Sequence, residues 1–238
     1  MSQKTTSRSG FISLYLAHHG QSLATAQISG NAFRIKNFRV NIEGSLKIPM
    51  PPSLLAVAED INTLVSYPDL DQIIQLGSND NIACLIIEPI IGNGGNIVIP
   101  TDFYRYIRDV CHKYGIIIAD EVQTGFGRTS SFFASNGYAK DLEPDIIVFA
   151  KSAGGIEIPT GGVLMKEELD VLEFYEHSST SGANLLALTA LNGIIDIIED
   201  ENILANVQQN EGYLRDSLTA LQNKHDDIIK VQWPRIYV

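Results

Sequence analysis

Apolar residues in this chain gather into short unbroken runs: Phe11–Leu16, Ala83–Ile87, Ile116–Ala119, Ile146–Phe149 and Gly162–Met165. Runs of that length, rich in Ile, Val and Phe, predict strands buried on both faces. Between the second and third runs the period changes. Phe103, Tyr106, Ile107 and Val110 recur at helical spacing over Thr101–Tyr114, with Thr101 as N-cap behind Pro100 and Gly115 as the stop. A strand–helix–strand unit implies parallel strands joined by a right-handed crossover. The expected fold class is therefore α/β, a mostly parallel sheet flanked by helices.

Segment 30–80 is less regular. Pro49, Pro51 and Pro52 break it and Asp69–Leu76 reads as a short helix, so a surface excursion is expected. From Asn184 the pattern turns helical, with Leu188, Leu191, Ile194, Ile195 and Ile198 on one stripe. Asp200-Glu201-Asn202 marks a break before a second helix, Ile203–Leu221. Three divisions follow: residues 1–10 as a disordered start, 11–182 as a partial large domain, and 183–238 as a long helix leading into a truncated C-terminal region. Val231–Val238 is an apolar, aromatic octapeptide, an unusual place for a domain to stop.

Bulk properties narrow the function. With 45% hydrophobic and 19% charged residues, the composition is that of a folded globular chain. A net charge of -11 argues against nucleic acid as a partner. Glu88 interrupts the longest apolar run, Ile82–Ile91, so no membrane-spanning segment is expected. Residues 1–42 carry +5 and the remainder -16. That basic start allows a mitochondrial presequence, and Phe11–Ala17 with Ala24-Thr25-Ala26 allows a secretory signal. The favoured expectation is a cytoplasmic protein, with mitochondrial targeting as the alternative. Cys84 and Cys111 read as small buried apolar residues of a reducing compartment, and no metal-ligand spacing is present.

The candidate chemistry lies at strand ends, where open α/β sheets bind ligands. One run delivers Asp120-Glu121 and another Lys151, each followed by glycine. An Asp-Glu strand end also describes a P-loop nucleotide hydrolase, but the Gly-x-x-x-x-Gly-Lys loop is missing. Glu88 with Glu121 could be glycosidase carboxylates, a reading weakened by the single tryptophan. Solvated acids and a snorkelling surface lysine are the bland alternatives. A buried lysine, its pKa lowered by desolvation, forms a Schiff base with an aldehyde, and an aspartate keeps a pyridine nitrogen protonated. Pyridoxal phosphate requires both.

Four motifs carry a resemblance to a known family: Ile87-Glu88-Pro89, Asp120-Glu121-Val122-Gln123-Thr124-Gly125-Phe126-Gly127-Arg128-Thr129, Glu143-Pro144-Asp145-Ile146 and Ala150-Lys151-Ser152. Over about Gly10 to Ile229 the chain resembles the class III aminotransferases, pyridoxal phosphate enzymes of fold type I. The resemblance implies that the sheet is the incomplete cofactor-binding large domain of that fold. It implies that Lys151 holds the cofactor covalently and shuttles a proton, and that Asp120 binds the pyridine nitrogen. Val122 would pack on one ring face and Gln123 would lie near the phenolic oxygen. Glu88, with Asn93, would support the active site. His18-His19-Gly20 falls where the family has an aromatic-His-Gly triplet, so His18 would stack on the other ring face. An imidazole covers less area, and its charge varies with pH. The bland alternative is a histidine pair at a helix start. A metal site lacks a third ligand. Thr180 would reach the cofactor phosphate across a homodimer interface.

The implied activity is amino-group transfer from an amine or amino acid to a 2-oxo acid. Phe174-Tyr175 resembles the dialkylglycine-decarboxylase-like branch, which gives a decarboxylating alternative. A phosphate-binding turn should precede residue 10 and a small domain with a carboxylate-binding arginine should follow Val231. Ile156-Glu157 occupies a stretch of small residues, and Leu185 replaces a proline. The chain is thus expected to be the middle of such an enzyme, and an inactive fragment is a further alternative.

Overall fold

The computed structural model describes residues 1–31, 36, 43–49 and 70–225. In order, its elements are α1 (Ser2–Thr6), β1 (Gly10–Leu14), α2 (Leu23–Ile28), β2 (Leu46–Ile48), α3 (Leu70–Ser78), β3 (Ile82–Ile87), β4 (Ile90–Ile91), β5 (Ile97–Val98), α4 (Thr101–Tyr114), β6 (Ile116–Asp120), β7 (Ile146–Phe149), β8 (Gly162–Met165), α5 (Leu185–Asp200) and α6 (Ile203–Lys224). Six strands form one sheet in the order β2-β1-β3-β6-β7-β8. The pairs from β2 to β7 are parallel and β8 runs antiparallel to β7.

The period of two sorts strand side chains onto two faces. Ile12, Leu14, Leu85, Ile87, Ile117 and Ala119 share a buried cluster with Leu70 and Ile74 of α3 and Phe103, Tyr104, Ile107 and Val110 of α4. Cys84, Ile86, Ile116, Ile118 and Ile146 pack on the other side with Ile28 of α2 and Leu169. Helices thus cover the first face with long apolar side chains. The Tyr104 hydroxyl donates to the Pro89 carbonyl, tying α4 to the end of β3. A third cluster joins Phe126, Phe132, Phe133 and Phe149, with Phe126 and Phe132 ring centroids 5.0 Å apart.

Two sequence expectations need correction. Residues 1–10 are not without structure: Ser2–Thr6 is a helical turn against β3, with Thr6 Oγ1 donating to the Ser2 carbonyl and Lys4 pairing with Glu173 and Glu176. Five residues are too few for a periodic signal, and tertiary contact supplies the order. Within segment 30–80, Leu46–Ile48 is no surface excursion but the edge strand beside β1, with Ile48 buried. Three residues cannot display a period, and Pro49 ends the strand. Pro51, Pro52 and Val231–Val238 lie outside the described residues.

Both cysteines are buried and unbridged, and burial pushes each thiol up to about 12. No described helix is long and apolar enough to cross a membrane, and no described group of three His, Cys, Asp or Glu could hold a metal.

Candidate active site

The sheet register brings the candidate groups to one edge. Asp120 is opposite Val148 on the adjacent parallel strand, and the Glu121 N–H donates to the Val148 carbonyl at 2.8 Å. Lys151 follows Val148 by three residues, so Asp120 and Lys151 leave the same carboxyl edge of the sheet from neighbouring strands. Glu88 follows β3, the strand on the other side of β6.

Asp120 is 7% exposed. Its Oδ2 accepts from His19 Nδ1 at 2.8 Å, and Oδ1 accepts from the Val122 N–H at 3.2 Å. The His19 ring is buried, and its Nε2 has no partner among the described residues. Gly20 has φ +129°, and a Cβ there would lie 2.6 Å from Thr25 Oγ1. Only glycine suits both conditions, so this residue lets the His18–Gly20 segment turn tightly against α2.

Glu88 is 3% exposed and accepts from the His18 N–H at 2.7 Å and the Gly92 N–H at 3.2 Å. Burial pushes its carboxyl above the usual glutamate value, and Asp120 adds to that push. The two N–H bonds and His19 act the other way. Gln123 lies against Gly92, where an added Cβ would run into the amide oxygen. Asn93, on the same turn, is exposed and has no hydrogen bond among the described residues.

Lys151 differs from expectation. Sequence reasoning places it in a buried site, yet it is exposed and has neither hydrogen bond nor ion pair among the described residues. It starts a 3-10 turn, Lys151–Gly154, with φ +53°. That conformation is rare for a residue with a side chain, and such strain gathers at functional sites. Beside it opens a cavity of about 770 Å³ lined by Phe126, Ile156, Ile158, Pro159 and Ile194, and neither Asp120 nor His19 lines it. The turn lies between β7 and the antiparallel edge strand β8, whose Val163 and Leu164 are also half in solvent. Thr180 is likewise exposed, without a hydrogen bond among the described residues. Phe174 and Tyr175 are exposed and in ring contact.

Glu121 is neither solvated nor paired with Glu88. It is 1% exposed and accepts from Thr124 Oγ1, the Ala134 N–H at 3.0 Å and the Ser135 N–H at 2.8 Å. It organises the loop after β6, which removes the glycosidase pairing. Sequence reasoning did not find the His19–Asp120 bond or the seating of Gln123 on Gly92. The Gly92-Asn93-Gly94-Gly95 run was the available signal for a close backbone approach.

Comparisons with known proteins bear on the family and the fold. The family model described as Aminotransferase class-III matches residues 1–233. Ornithine aminotransferase of Oceanobacillus iheyensis is 33% identical over 205 residues, 85% of this chain and 46% of that protein. Among solved structures, an aminotransferase of Bacillus anthracis is 29% identical with a TM-score of 0.80, matching 94% of this chain and 52% of that one. Taurine:2-oxoglutarate aminotransferase of Bifidobacterium kashiwanohense, in complex with PLP and glutamate, is 26% identical with a TM-score of 0.78, matching 94% and 52%. The chain spans about half the length of these relatives.

Proposed function

The chain belongs to the class III aminotransferases, and from that premise we propose that it forms the cofactor-binding half of an enzyme moving an amino group from an amine or amino acid to a 2-oxo acid. One observation carries the reading: a buried, oriented carboxylate and an uncommitted ammonium leave one sheet edge from adjacent strands. The residues suit pyridoxal phosphate at its ring end. Asp120 has acceptor capacity left, since a carboxylate offers about four lone-pair sites and two are used here. Asp120 would hold the pyridine nitrogen and Lys151 would hold the cofactor covalently. Val122 and His18 would flank the ring, Gln123 would lie near its phenolic oxygen, and Thr180 would serve the phosphate of a second copy in a homodimer.

When bound, the cofactor supplies an electron sink that stabilises negative charge at the substrate's amine-bearing carbon. The chain's own residues do the rest. His19 Nδ1 keeps the Asp120 carboxylate in one orientation. Lys151 Nζ, on a flexible stem at an exposed turn, takes and returns the proton of the amine-bearing carbon.

Mixing the purified chain with pyridoxal phosphate should produce a visible absorbance band and, after borohydride, a stable mass increment on the Lys151 peptide. Lys151→Ala should abolish the mass increment and leave the cofactor held without a covalent bond. A wild-type chain that stays colourless and unmodified overturns the reading.

A further inference from the structure

Glu88 forms no hydrogen bond with Asp120 or the His19 ring among the described residues. It holds two loops instead. Oε1 accepts from the His18 N–H at 2.7 Å and Oε2 from the Gly92 N–H at 3.2 Å. The next residue after His18 is His19, whose ring donates to Asp120 and whose backbone N–H donates to Ser29 Oγ at 2.9 Å. Gly92 is the backbone wall on which Gln123 rests. One buried carboxylate therefore joins the loop that orients Asp120 to the loop that seats Gln123.

We infer that Glu88 is a positioning residue of the cofactor site: it sets His19 against Asp120 and Gln123 against Gly92 through two backbone N–H groups, without touching the reacting atoms. This rests on the reading that Asp120 and Lys151 bind pyridoxal phosphate. Carboxylate chemistry explains the choice of residue. An ionised carboxyl is acceptor-only, so it serves both N–H donors at once, whereas an amide turns its NH2 toward one of them. A carboxylate placed near Asp120 is poor design for stability alone, because desolvation and like charge both oppose it. Its presence there makes sense where two loops must keep one geometry.

The histidine ring nitrogens provide a readout independent of turnover. In two-bond 1H–15N spectra of the 238-residue chain, His19 is assigned by its loss in His19→Asn. The wild type should show a proton held on Nδ1. Glu88→Ala and the isosteric Glu88→Gln should convert that signal to exchanging tautomers and weaken pyridoxal phosphate binding at least about tenfold. Gly92→Ala should displace the Gln123 amide resonances and spare His19. Glu121→Gln, which disturbs another buried carboxylate, should lower stability and leave the His19 ring signal in place. An unchanged His19 signal in Glu88→Gln overturns the inference, whatever the cofactor affinity. A chain that takes up no pyridoxal phosphate, with His19 still responding to Glu88, overturns the cofactor reading and supports the bracket.

Discussion

The ends of β6 and β7 are neighbours in one sheet and opposite in character. At β6, Asp120 is buried and both its oxygens accept hydrogen bonds, while Glu121 beside it accepts from Thr124, Ala134 and Ser135. At β7, Lys151 stands exposed in a left-handed turn beside an apolar cavity. Farther out, Val163, Leu164, Leu185 and Leu186 face water. A buried carboxylate without partners is costly, so the anion arrives already held. An ammonium on a four-carbon stem keeps its hydration and its freedom until something covers it. The anion half of the site is preorganised and the cation half is left movable.

The sharpest way to break this contrast is Lys151→Ala. If Lys151 moves the proton, single-turnover amino transfer measured by stopped flow on the holoenzyme should fall by about 10²–10⁴-fold, the usual contribution of a positioned acid–base group. A loss below tenfold would assign that role elsewhere.

Next in size is the sheet core on the closed side. Ile87 is fully buried, and Ile87→Ala should cost about 2–5 kcal/mol in urea unfolding. Glu121→Ala should cost about 1–3 kcal/mol in the same assay, because it strands the Ala134 and Ser135 N–H groups. If Glu121→Ala proved neutral, the loop after β6 would not depend on that carboxylate.

A smaller effect is a slope with pH. Burial raises the Glu88 carboxyl above its usual 4.5. The unfolded chain then loses that proton first, so the folded state binds more protons between 4.5 and the raised value. Glu88's contribution is therefore fully present below 4.5 and declines as pH rises through the raised value. Stability measured across that window should fall less steeply with pH in Glu88→Gln than in the wild type. Smallest of all, Leu185→Ser on the open side should shift stability by no more than about 0.5 kcal/mol, because Leu185 is 82% exposed. A larger loss would show that α5 is covered in solution.

The legible parts of the fold share one property: their signals are local. Helix α4 spans the predicted Thr101–Tyr114 and stops at Gly115, but its N-cap is Pro100 and Thr101 is its first helical residue, without a side-chain cap bond. β7 and β8 occupy the predicted residues, and the break after α5 falls at Glu201-Asn202. α1 and β2 were not legible, because five and three residues carry no period. The strand-end positions of Asp120, Glu88 and Lys151 were readable from the runs that precede them. The bond between His19 and Asp120 was not, since 101 positions separate them and nothing local in either marks the other.

By itself the sequence determined the element types, the two faces of the sheet and the residue types delivered to its carboxyl edge, because hydrophobic period and capping act over a few residues. Only the tertiary structure decided which of those residues meet. Glu88 turned out to bracket two loops, Glu121 to organise a third, and Lys151 to stay in solvent. Burial, hydrogen-bond partners and exposure depend on elements brought together across the sheet, and no stretch of the chain contains both sides of such a contact.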